Sequence, residues 1–152
     1  MHHLLLTLHI LAFTVWVGGM FFAHMALRPA AQATLEPAQR LPLFSKVFDG
    51  FFPWVWVAVL LLVGTGYWLI FRMGSFANVG LNIHVMALIG DVMAVIFMFI
   101  FFSPYPKLRA AVSSGDLPEA GKQLARIRHM IAVNLALGLA TIVVAVAGRL
   151  IL

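Results

Sequence analysis

Residues 4–27 read LLLTLHILAFTVWVGGMFFAHMAL and are followed by Arg28-Pro29. The stretch is long enough to cross a bilayer and holds no Lys, Arg, Asp or Glu, which marks it as a transmembrane helix. Two histidines interrupt it, His9 near the start and His24 near the end. An imidazole in an apolar span is costly without a partner, so each is a candidate ligand. In helical geometry His24 lies about 22 Å beyond His9 and roughly 60° round from it, so one helix can serve two sites, one per leaflet. Gly18-Gly19 lies between them, where missing side chains let another helix or a flat ligand come close. Trp16 and Phe13 share the His9 face.

The rest of the chain has the same character. With 63% hydrophobic and 10% charged residues it falls outside the usual mix for a soluble domain and reads as an integral membrane protein. It has no cysteine, which excludes disulfides and thiolate metal sites. The first residues lack a basic segment and a small-residue cleavage site, so residues 4–27 read as a retained helix rather than a signal peptide. Three further spans follow: Pro53 to Phe71, Leu81 to Phe102, and Arg128 to about Ile151. The predicted fold is all-α, a single integral membrane four-helix bundle over residues 1–152 running up-down-up-down.

Charge gives the orientation. Arg28, Arg40, Lys46, Lys107, Arg109, Lys122, Arg126 and Arg128 flank the first and third connections, while Arg72 and Arg149 lie on the opposite side. The positive-inside rule then puts both termini on the outer side. The same distribution accounts for the net charge of +5 through anionic headgroups, with no nucleic-acid partner. Residues 36–49 are expected to form a short interfacial helix with Leu41, Phe44, Val47 and Phe48 against the membrane, and Pro53 to open the second span. Ser103-Pro104 ends the third span and Ser114-Gly115 makes a turn. Asp116 with Glu119 resembles a capping box, from which a helix runs through Arg126 into the fourth span.

Comparing depth across spans sorts four histidines into two tiers. His9 and His84 match on the outer side, and His24 and His129 match on the opposite side. Two imidazoles at one level on different helices are what axial ligation of haem needs. The alternative is that each caps a helix end or bonds a backbone carbonyl. Asp91 lies about 10 Å deeper than His84 and roughly 20° round from it, a candidate proton relay, cation ligand or neutral hydrogen-bonded acid, with Thr65 as a candidate donor. Asn134 reads as an interhelical hydrogen-bonder. Metal alone is the rival to haem: Met25, Met86 and Met130 accompany His24, His84 and His129 and suit soft Cu(I), although methionine also fills apolar interiors. Met1-His2-His3 is either a square-planar Cu(II) motif or a loose end.

His9 with Trp16-Val17-Gly18-Gly19, FFPWVWVAVLLLVGTG at residues 51–66, NIHVM at 82–86 and RIRHMIAVNLALGL at 126–139 together resemble the CopD-like family of bacterial membrane proteins. Longer members are implicated in copper uptake or resistance, and this chain is similar to the small four-helix form. The H-x6-W-x-G part is also similar to HemJ-type haem b proteins, whose basic, tyrosine-containing end of the first span this chain lacks. The resemblance implies a multi-pass protein of the bacterial inner membrane with His9 and His84 at ligand positions. His24 and His129 rest on depth alone.

The expectation is therefore a membrane protein binding one or two haem b groups for electron transfer or redox chemistry, with copper transport or binding as the alternative. The cofactor-binding candidates are His9, His84, His24, His129, Trp16 and Gly19; the four histidines are the metal ligands and Asp91 the proton relay. The partners expected are the bilayer and an electron donor and acceptor, and a homo-oligomer is compatible with the sequence.

Overall fold

In the computed structural model, which describes residues 1–151 with side chains through Gly148, the chain is helical throughout and the described residues contain no strand. Helix α1 (His2–Phe22) passes through a wide turn of π geometry at Ala23–Leu27 into α2 (Arg28–Thr34). Helix α3 (Pro37–Arg72) is followed by a 3-10 turn at Phe76–Asn78, and then come α4 (Leu81–Phe102), α5 (Pro104–Ser114) and α6 (Leu117–Ile151). Among the described residues, four helical stretches are long and apolar enough to cross a membrane, namely His2–Thr34, Pro37–Arg72, Leu81–Ser114 and Leu117–Gly148. The four expected spans are present, and the protein is a multi-pass membrane protein. Each stretch exceeds the roughly 20 residues that a bilayer needs.

Helix α1 packs chiefly along α3, and α4 along α6, while α5 folds back onto α6. The outward faces stay apolar: Trp54, Leu60, Leu88 and Val143 are each between 64% and 67% exposed. Helices that are apolar on every side suit a lipid solvent, where association rests on close packing more than on the expulsion of water. Close approach is visible at Gly138 of α6, where a Cβ would stand 2.8 Å from Val17 Cγ2 and 3.3 Å from Met93 Cε. Gly138→Val is accordingly expected to lower stability by about 1–3 kcal/mol, read as thermal unfolding in detergent.

The end of the bundle that holds the long connections differs from the expectation in one respect. Residues 37–49 are not a separate short helix; they form the first third of α3, with Leu41, Phe44 and Phe48 buried in the protein core. Pro53 does not open a span either, because α3 runs through both Pro42 and Pro53. A proline inside a helix removes a backbone hydrogen bond, and here aromatic packing holds the helix together across it. Phe48 stacks on Phe52 at 5.0 Å, and Phe52 meets Tyr105 at 4.8 Å and Phe97 at 5.5 Å. The Tyr105 hydroxyl donates to Asp49, which also pairs with Arg109 Nε at 3.3 Å, so α5 is tied to α3.

Other local expectations hold. Helix α4 stops at Phe102 and α5 starts at Pro104. Gly115 turns the chain at φ +73°, a left-handed conformation natural to glycine. Asp116 Oδ1 accepts from the Glu119 backbone N–H at 3.1 Å, capping the unbroken α6. Asn134, 1% exposed, donates through Nδ2 to the Met93 carbonyl at 3.1 Å and joins α6 to α4.

Candidate metal-binding cavity

At the end of the bundle that carries His2, Met73 and Asn82, a cavity of about 520 Å³ opens between α1, α3, α4 and α6. His9, Trp16, Tyr67, Met86, Asp91 and Met93 are among its walls. Its polar groups are few, and the geometry around each follows from helix register.

The His9 ring is the best-defined donor. Its Nδ1 lies 2.8 Å from Thr65 Oγ1, and the Thr65 hydroxyl itself donates to the Leu61 carbonyl one turn back. A hydroxyl has one hydrogen, so with that hydrogen directed at Leu61 the oxygen can only accept from His9. The proton of a neutral His9 is thereby held on Nδ1, which leaves the lone pair on Nε2, the arrangement found in metal-ligating histidines. The ring fits against α3 where Gly66 has no side chain: a Cβ there would stand 3.3 Å from His9 Cε1.

Asp91 is partnered differently from the expectation. Thr65 is engaged by His9, and the donor to Asp91 is Tyr67, whose hydroxyl lies 2.7 Å from Oδ2. Two residues along a helix turn by about 200°, so Thr65 can serve α1 while Tyr67 serves α4. Tyr67 was not identified from the sequence, although it is the one tyrosine within an apolar span, which was the available signal.

His84 does not join His9. It is exposed, its Nδ1 lies 3.1 Å from the Gly80 carbonyl, and its ring sits 5.6 Å from Phe76. The cavity wall of α4 is formed around Ile83, Ala87, Gly90 and Ala94. His84 is roughly 100° round from Ile83, at matching depth but turned away. It takes the helix-end role that was the alternative for each histidine.

Trp16 lies in the cavity wall, 3% exposed and edge-on to Phe97 at 6.2 Å. Gly19 does not face a flat ligand, because a Cβ there would run into the Phe51 ring. It is instead a point of close approach between α1 and α3. His24 and His129 both line a separate cleft at the opposite end, together with Arg28 and Arg128.

A family model described as Copper resistance protein D matches residues 45–148. The chain belongs to this family. The CopD match covers Thr65, Tyr67, Met86 and Asp91, and His9 lies before it. No curated protein and no solved structure matches the chain. Nothing in the CopD match supports haem b, and the cavity does not supply the pair of facing imidazoles from α1 and α4 on which that expectation rested. The described residues also contain no group of three or more His, Asp or Glu side chains that could hold a metal ion. The cavity instead offers imidazole and thioether groups. His2, Met73, Met86 and Met93 line it together with His9. Such a soft set fits Cu(I).

Proposed function

We propose that this CopD-family chain takes copper, as Cu(I), into the membrane through the cavity, with His9 Nε2 as the principal ligand and the thioether of Met86 as the second. Copper is the cargo here. The observation that carries the reading is the hydrogen-bonded chain from Leu61 through Thr65 to His9, which aligns one imidazole for metal ligation in the wall of a cavity that Met86 also lines. The family match supports the choice of metal.

Met73 and His2 stand nearer the mouth of the cavity and would meet the ion first. Asp91, held by Tyr67, supplies negative charge that offsets the cost of bringing a cation into an apolar bundle. The basic connections lie at the other end, so the positive-inside rule places the mouth and both termini on the outer side.

The direct test is a competition titration of the purified protein with a Cu(I) chelator under reducing conditions, run beside a reduced-minus-oxidised absorption spectrum. Stoichiometric, tightly held Cu(I) and no b-type haem bands are expected. Haem bands with no copper would overturn the proposal.

A further inference from the structure

The second cleft lies where the end of the first span meets α6 and measures about 320 Å³. His24, Arg28, Arg128 and His129 line it, together with the small Ala125 and Ala132. Two guanidinium groups make it a poor place for a metal cation, whatever the two imidazoles could offer. Arg40 is also near enough for its charge to be felt at Arg128. No carboxylate among the described residues lines the cleft, and the described ion pairs, Lys46–Asp49 and Arg109–Asp49, lie elsewhere. Positive charges gathered in this way without a counterion repel one another, so an anion between them would remove a cost already present in the fold.

Two further observations point the same way. Arg28 Nε and His24 Nδ1 are both buried with no hydrogen-bond partner. Buried polar groups without partners are rare, and an Arg Nε–H can only donate. The backbone that carries them is also irregular: the helix widens at Ala23–Leu27, and the Arg28 N–H bonds back to the Ala23 carbonyl five residues earlier. Single π turns of this kind are uncommon and recur at functional sites. This one sets the direction of His24 and Arg28 relative to α6.

We propose that the cleft is a binding site for a phosphate oxyanion. A phosphate group presents more acceptor oxygens than a carboxylate, and these match the donors of Arg28, His24, Arg128 and His129. The headgroup of an anionic phospholipid and free inorganic phosphate share this chemistry. Exposed apolar side chains beside the cleft, Phe22 and Met25 on the first span and Val133 on α6, would lie along the acyl chains of a lipid.

The test uses the full chain in detergent, titrated in parallel with a short-chain phosphatidylglycerol, the matching phosphatidylcholine and inorganic phosphate. Binding is read as a rise in unfolding temperature and by retention in native mass spectra. Phosphatidylglycerol binding well above phosphatidylcholine identifies the lipid as the source, and binding of inorganic phosphate alone identifies the free ion. In either case Arg28→Gln and Arg128→Gln are each expected to weaken binding about ten- to hundredfold, with Lys46→Gln unchanged. Ala132→Phe fills the cleft without altering its charges and is expected to abolish binding, which keeps the test sound if an arginine variant fails to fold. Failure of all three probes to bind, or binding indifferent to both the arginine and the Ala132 variants, would overturn the proposal. So would a metal ion held through His24 and His129 that the arginine variants leave in place.

Discussion

His9→Ala is expected to abolish tight Cu(I) binding, while His84→Ala leaves the affinity unchanged. The two histidines lie at similar depth, and a reading based on depth alone would have both variants fail. The structure separates them, because His9 lines the cavity whereas His84 is exposed and spends its Nδ1 on the Gly80 carbonyl. Thr65→Val isolates the role of the hydrogen bond. Valine is close to threonine in shape but cannot accept from Nδ1–H, so the ring loses its fixed tautomer and orientation while its ligating nitrogen remains. Changes to such supporting partners commonly cost about ten- to hundredfold in metal affinity, and that is the loss expected here, measured by chelator competition. A Thr65→Val protein with unaltered affinity would show that the bond between α1 and α3 is structural only.

The largest expected effect on stability is at the other end of the molecule. Leu108 of α5 and Ile127 of α6 are each 0% exposed, in the layer where α5 packs on α6 at the end of the bundle that carries the basic connections. Leu108→Ala is expected to cost about 2–5 kcal/mol, the range for a large-to-small change in a close-packed core. The location matters. Between lipid-facing helices a truncated side chain loses packing but little hydrophobic driving force, since the lipid is as apolar as the side chain. At Leu108 the alternative environment is the interface and water, so both contributions are lost. Thermal unfolding in detergent with a truncation of an exposed, lipid-facing residue such as Leu88→Ala as reference should show a much larger drop for Leu108→Ala.

Much of the architecture could be read from composition, since four long apolar runs leave few options in a bilayer. The helix ends around Ser103, Gly115 and Asp116 and the interhelical bond of Asn134 were also legible, because each depends on local chemistry. Features that depend on which way a helix is turned were harder to read. His84 and Asp91 are about 20° apart on an ideal helix, yet one is exposed and the other lines the cavity, because the edge of the buried face of α4 falls between them. Tyr67 takes the role toward Asp91 that was expected of Thr65 for a similar reason: α3 sits between α1 and α4, and the sequence does not say which neighbour a given side chain meets. The apolar face of residues 36–49 is equally suited to a membrane surface or to a helix bundle. Tertiary packing by Tyr105 and its aromatic neighbours selected the bundle.

The central claim is that a soft ion sits in the cavity on one imidazole and on thioether sulfur. X-ray absorption at the copper edge of the Cu(I)-loaded protein tests it most directly. The account predicts a mixed nitrogen and sulfur shell that loses its nitrogen in His9→Ala and its sulfur in Met86→Leu. A shell of light atoms only, unchanged by any of these substitutions, would contradict it.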